Sequence, residues 1–600
     1  MTKVNYSEVW DLDVFFEGGS NSEELRLHLN NLKAKITALQ NTTAQFDTPT
    51  SANDDSKVFD IIEMTKDVAL NMSQASAVIG CFLAADTTEK KALLLQGEIG
   101  IFGASFSTAL LQFQQVLAKV EDDVWTSLIK SEKLKEFTFV LNEWRDEVGL
   151  KLSGKEESLI TSLSVDGYHG WGQLYDLLVG NIKIELEVDG ELKTLSVGQA
   201  NNLSSHSDGE VRRKSFEALE EAWEEKEDFF ASALNHLAGF RLAVYEKRGW
   251  ESVLKEPLLR NRMSEETLDA MWGAIGASKE PFVNYLNVKA KMLGTDKLNW
   301  YDIDAPVTSS TKEINYQEGA EFILEHFGKF GPELEAFSRK AFEDGWIEAE
   351  DRPNKRPGGF CTGMPMSEQS RIFMTYSGSM SNVATLAHEL GHAFHSYAMR
   401  PVHWMNRQYA MGVAETASTF AEMIVADAAV KAAETKEEKI ALLEDKIQRS
   451  VAFFMNIHSR FLFETRFYEE RKQGIVPASR LNELMVEAQQ EAYGGALDTT
   501  HPHFWASKLH FYITRVPFYN FPYTFGYLFS LSIYAKALEE GTDFEQKYMA
   551  LLRDTASMSV EDLAMKHLGE DITKQDFWAK GVALCVKDVD EFMELTSKEG

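Results

Sequence analysis

Six hundred residues, 44% hydrophobic and 26% charged, exceed what one ordinary core needs, and the even spread of Leu, Ile, Val and Phe excludes wholesale disorder and repeat architectures. With 61 basic against 93 acidic side chains the formal charge is −32, which repels phosphate backbones and anionic lipid and leaves nucleic acid no role as a partner. Cys81, Cys361 and Cys585 are too scattered for a disulfide framework or a Cys-based metal knuckle, so a reducing, cytoplasmic setting is expected.

The opening MTKVNYSEVWDLDVFF lacks a basic segment leading into an apolar one, and the apolar stretch at 521–538 is broken by Tyr, Thr, Ser and Pro. Neither a signal peptide nor a membrane span is expected. Only 13 prolines occur and none falls between Thr50 and Glu256, which leaves room for long helices. From Ser22 to Gln45, Leu25, Leu29, Leu32, Ile36 and Leu39 recur at helical spacing, and the stretches 58–83, 90–117 and 122–141 repeat the pattern. Between Asn181 and Val197 the period changes to two around Asp189-Gly190, which predicts a hairpin. The acidic run at 220–228, inside a predicted helix over 208–247, reads as a solvated face. Gly and Pro cluster over 351–365, and the β-branched and aromatic run at 370–379 predicts a strand. Helices are predicted from Ser381 until Pro401 ends the first, then over 413–434, over 435–474 and beyond Ala478. The class is predominantly α, in two lobes, with a small β-sheet next to the helix that begins at Ser381.

That helix contains His388-Glu389-Leu390-Gly391-His392. One turn of helix separates the two imidazoles on a common face, about 6 Å apart, so both reach one ion. Glu389 points roughly 100° round the axis, beside the ion, where a general base for a water belongs. A zinc hydrolase needs three protein ligands and an open position. His395 lies about 10 Å of helix rise beyond His388, too far to complete the set, and qualifies only as a supporting residue. Downstream, Glu415 and Glu422 stand seven apart among small side chains, on one predicted helical face. One can bind the ion while the other orients a ligand His, and spacing leaves open which does which. A third cluster, His510 with Tyr519, Tyr523 and Tyr527, offers an imidazole and phenols that can donate to an oxyanion.

His388 to His392, the Val413-Ala414-Glu415-Thr416-Ala417-Ser418 stretch, the late His/Tyr cluster and the run RPGGFCTG leading through RIFMTYSGSM into the helix together resemble the thimet-oligopeptidase-like M3 zinc peptidases. The resemblance is to the oligoendopeptidase F branch and extends at least over 356–526. It implies a helical, two-lobed shell around a deep central channel that admits short, unfolded oligopeptides. It further implies one Zn2+ held by His388, His392 and Glu415, with Glu389 as base, Glu422 and His395 behind the ligands, and His510, Tyr519 and Tyr523 on the oxyanion side. Tyr527 is an alternative to one of the tyrosines. Gly359, Phe360 and Tyr376 belong to extended segments that would pair with a peptide lying as an added strand. Residues 1–200 then form an N-terminal helical domain and 201–600 the catalytic one. Expected is a zinc-dependent endopeptidase. The alternatives are a helical zinc carboxypeptidase or dipeptidase, for which Arg515 or Arg371 would clamp a terminal carboxylate, and a peptide-binding protein without catalysis. Oligomeric state is open.

Overall fold

The computed structural model describes residues 5–188, 190–308 and 313–597. Near the N-terminus, helix α1 (Glu23–Ala44) starts where the Ser22 hydroxyl accepts from the Leu25 amide, and its stripe Leu25, Leu29, Leu32, Ile36 and Leu39 is buried, as its spacing requires. Against it lie α2 (Asp55–Ala85) and α3 (Lys90–Leu117), and each of the three packs on the other two. Each fully buried Leu contributes roughly 2 kcal/mol here. The helix predicted over 122–141 is instead two, Asp122–Leu128 and Thr138–Gly149, joined by a turn. Leu128, Leu134, Phe137 and Leu141 are all fully buried, and one straight helix cannot aim residues at those spacings at a single core.

Among the described residues, and against the expectation of no membrane span, the helices spanning Ala52–Ala85 and Lys90–Leu117 are long and apolar enough to cross a membrane by length and composition. The most apolar window of the first is 56% buried and that of the second 22%.

The predicted hairpin is present as β1 (Ile184–Val188) and β2 (Glu191–Leu195), paired antiparallel; Asp189 of its turn lies outside the described residues. Ile184, Leu186 and Val188 alternate inward against helix α4 (Gly209–Glu224). A three-stranded sheet follows, built from β3 (Ile347–Glu348), β4 (Phe360–Met364) and β5 (Gln369–Phe373) in the order β3-β5-β4. β4 is therefore an edge strand. Then come α5 (Met380–Ala398), capped by Ser379, α6 (Thr416–Ala432), α7 (Lys436–Val451), α8 (Ile457–Arg471), α9 (Phe521–Glu540) and α10 (Gln575–Ser597). The single helix predicted over 435–474 is interrupted by a π-helical turn at Ala452–Asn456.

Buried apolar side chains fall into two cores. The smaller runs from Trp10 to Leu141 and takes in Met364, Phe373 and Met405, while the larger starts with Tyr6 and Tyr168, includes the hairpin, and reaches Phe592. β5 is the seam: by strand alternation Phe373 enters the smaller core, and Ile372 and Met374 enter the larger. Arg371 on β5 is fully buried and donates from Nε and Nη2 to the Asp11 carbonyl at 3.0 and 2.7 Å, so it fastens the N-terminal segment to the sheet.

Candidate active site

Two helices that approach backbone to backbone create the site. A Cβ on Gly391 of α5 would lie 2.4 Å from the Ala417 carbonyl oxygen and 2.6 Å from Ser418 Cα of α6, so only glycine permits this contact. On the far side, a Cβ on Gly526 of α9 would meet the Gly412 carbonyl oxygen at 2.8 Å and Glu415 Cβ at 3.0 Å. Gly391→Ala is accordingly expected to push α5 and α6 apart, lowering stability by about 1–3 kcal/mol and weakening metal affinity together. Denaturant melts and a metal titration check this; wild-type values in both would show that the contact is not needed.

His388 and His392, one turn apart on α5, hold their rings 4.9 Å apart and nearly perpendicular, at 84°. Oε2 of Glu415 lies 3.3 Å from His388 Nε2 and 3.5 Å from His392 Nε2. Donor atoms of all three residues fall within 4.8 Å of one another, the one such group among the described residues. A tetrahedral ion with bonds near 2.1 Å spaces its donors about 3.4 Å apart, so the donor set fits zinc or an ion of similar size.

Each donor is held by a neighbour. Glu422 accepts from His388 Nδ1 at 3.0 Å and pairs through its other oxygen with Arg449. Because a carboxylate can only accept, the His388 proton sits on Nδ1 and Nε2 faces the ion bare. The Ala414 backbone does the same for His392, and burial pushes that imidazole down to about 4, keeping it neutral. Ser418 Oγ donates to Glu415 Oε2 at 2.7 Å. Burial alone would raise Glu415, but His388 and His392 hold it down at about 2. Glu415 itself is the N-cap of α6, with φ −85° and ψ 0°, preceded by a short helical turn at Met411–Ala414. The single face shared by Glu415 and Glu422, expected from their spacing, is thus broken at its first member, and the break is what aims Glu415 at the imidazoles. Asn261, distant in sequence, fixes this turn by accepting from the Gly412 amide at 2.9 Å.

Glu389 is 7% exposed, and its Oε2 has no partner. Burial pushes it up to about 7, helped by Glu415 and opposed by His388. Gly359, just before β4, faces it: a Cβ there would sit 3.4 Å from Glu389 Oε1. His510, Tyr519 and Tyr523 form a cluster, with ring centroids 5.6, 6.5 and 5.7 Å apart for the pairs 510–519, 510–523 and 519–523. Tyr523 stands one helical turn before Gly526, and the Glu415 charge contributes to raising its pKa, which places the cluster against the donor group. Burial pushes His510 down to about 4, so it is neutral.

Four expected site residues are engaged elsewhere. Tyr527 is 3% exposed, with its hydroxyl against Ser450 Oγ at 3.0 Å and Cys585 Sγ at 3.8 Å in the core. The Tyr376 hydroxyl donates to the Ile314 carbonyl at 2.9 Å. Phe360 stacks on Phe373, 5.2 Å away, so it offers a ligand only its backbone on the β4 edge. His395 is fully buried, stacked on Tyr409 and bonded to Thr555 Oγ1 at 2.9 Å, and is not a partner of the ligand residues. Of the two carboxylate-clamp candidates, Arg371 is the fastener already described, and Arg515 is exposed and acts on His169.

Two imidazoles and a carboxylate converging on one point in a helical fold, beside a buried carboxylate of raised pKa, are the donor set and base of a metal-hydrolase centre. The family model for peptidase family M3 matches residues 202–584, and a second model, Oligopeptidase F, matches residues 117–184. The chain belongs to peptidase family M3, in its oligoendopeptidase F branch. It is similar to an oligoendopeptidase F homolog of Lactococcus lactis subsp. lactis, 24% identical over 528 residues and 86% of each chain. It is also similar to oligopeptidase PepF of Bacillus subtilis, 23% identical over 508 residues, covering 82% of this chain and 74% of the relative. The solved structure of oligoendopeptidase-F from Enterococcus faecium shares the fold with a TM-score of 0.71 at 19% identity, over 96% of this chain and 99% of that one.

Proposed function

We propose that the protein cuts internal bonds of short, unstructured oligopeptides at a single zinc ion held by His388, His392 and Glu415. One observation carries this reading: a carboxylate oxygen at near-tetrahedral spacing from each of two neighbouring imidazole nitrogens, with a buried Glu389 oxygen that has no hydrogen-bond partner alongside. Zinc bound there would supply a Lewis acid that polarises a carbonyl and makes water more acidic. Glu389 takes the proton from the attacking water; its pKa near 7 suits both that step and the later delivery of the proton to the leaving amine. Neutral His510 with the phenols of Tyr519 and Tyr523 donates hydrogen bonds to the oxygen on which charge develops. The free edge of β4, running past Gly359 and Glu389, gives backbone partners to a peptide lying as an added strand. The names of the relatives, oligoendopeptidase and oligopeptidase, agree with an internal cut in a short chain.

A ladder of peptides of increasing length, blocked at both ends, and a folded protein test this. Internal fragments from the blocked peptides up to a length limit, with the folded protein untouched, are expected. Release of single residues or dipeptides from free ends only would make the enzyme an end-trimmer.

A further inference from the structure

Past His510, Tyr519 and Tyr523 the wall of the site carries two cations that no acid neutralises. Arg460 on α8 donates from Nη1 to Oδ1 of Asn520, the buried residue between Tyr519 and the start of α9, at 3.1 Å. Its Nε is sealed from solvent without an acceptor, and among the described residues no carboxylate comes within ion-pair distance of its guanidinium. Lys508, two residues before His510, has neither a side-chain hydrogen bond nor an ion pair among the described residues. One ring, Phe504, carries both charges, with Arg460 Cζ 5.1 Å and Lys508 Nζ 4.9 Å from its centroid. Asp304 is the one acid whose charge acts on Lys508; it lies outside ion-pair range and is itself driven toward its neutral form by burial. Both cations act on His510, and Arg460 acts also on Tyr523, so they adjoin the cluster that faces the ligand residues.

Two half-buried positive groups side by side repel each other, and a chain of net charge −32 has ample carboxylates with which to pair them. Burial pushes Lys508 down to about 8, with Arg460 adding to the effect, and Arg460 down to about 10. Nearby, His510 Nδ1 and Asn520 Nδ2 are also buried without partners. The hydrolytic steps assigned above use neither Arg460, Lys508 nor Asn520. What the corner lacks is an anion.

We infer that Arg460 and Lys508 form a subsite for a carboxylate of the bound peptide, next to the His510, Tyr519 and Tyr523 cluster. The inference rests on the peptidase reading above. Two sources present the same group: the free C-terminus of a short peptide and an Asp or Glu side chain near the cut. A terminal carboxylate seated there would fix how many residues separate the cut from the end, setting the register of cleavage without a dedicated exopeptidase clamp.

The test uses the zinc-loaded full chain and one peptide sequence in four forms: free acid, C-terminal amide, amide with Asp, and amide with Asn at positions flanking the cut. For wild type, KM is expected to be roughly tenfold lower for the acid than for the amide, or for Asp than for Asn, the worth of one charge-assisted hydrogen bond; whichever pair splits identifies the source. In Lys508→Gln that ratio, taken within one preparation so that any general loss cancels, falls toward one. Arg460→Gln does the same, and if it does not fold, Arg460→Lys, which keeps the charge, retains part of the ratio. Cleavage of all four peptides with one KM, or a ratio unmoved in Lys508→Gln, overturns the inference alone. Cleavage of none overturns the peptidase reading, and the inference with it.

Discussion

Glu389→Gln is expected to keep its metal and lose nearly all turnover, by about 10³-fold or more, at the upper end of what general-base catalysis supplies. The side chain is buried beside the donor group, with one oxygen that has no hydrogen-bond partner. An amide of the same shape fills the space but cannot take a proton from water or return it to the leaving amine. Folding should not suffer, because the wild-type carboxyl already pays a desolvation cost, visible as its pKa of about 7, that an amide avoids. Equal metal content, an unchanged melting curve and a kcat reduced at nearly constant KM would together locate the loss in chemistry. An active Glu389→Gln enzyme contradicts the base assignment.

His392→Ala should behave differently, losing metal and activity together. Two donors remain, His388 and Glu415, and a pair does not hold zinc against competition from buffer and chelator. The change also removes one of the two imidazoles that face the Glu415 carboxylate. Stripping metal from wild type with a chelator should reproduce this state, and returning zinc should restore wild type but not His392→Ala. Atomic absorption on dialysed protein and peptidase assays before and after zinc addition check both arms. Retained stoichiometric metal in His392→Ala contradicts the ligand set.

Much of this arrangement is local and can therefore be read from sequence. The stripes of α1 and α2 repeat at helical spacing, and His388 to His392 carry their relative geometry within one turn of α5. Gly391 lies inside the same motif, though only the approach of α6 explains why a larger residue cannot stand there. What escapes is set by contacts between distant segments. Asn261, which fixes the turn before Glu415, and Arg460, which ties Asn520, have no local signature because their partners lie 151 and 60 residues away. Whether Tyr527 replaces one of the other late tyrosines escapes for another reason: α9 is buried almost all round, so no polar face marks the side that meets the site. Phe360 belongs to a sheet whose two faces enter two cores, and Tyr376 lies three residues past its last strand, so alternation alone does not tell which side a ligand meets.

One measurement addresses the centre directly: anomalous difference maps from crystals of zinc-loaded protein, collected above and below the zinc absorption edge. A single strong peak about 2.1 Å from Nε2 of His388 and of His392 and from the Glu415 carboxylate is expected. No peak under full zinc supply, or a peak that Glu415 does not touch, would contradict the account.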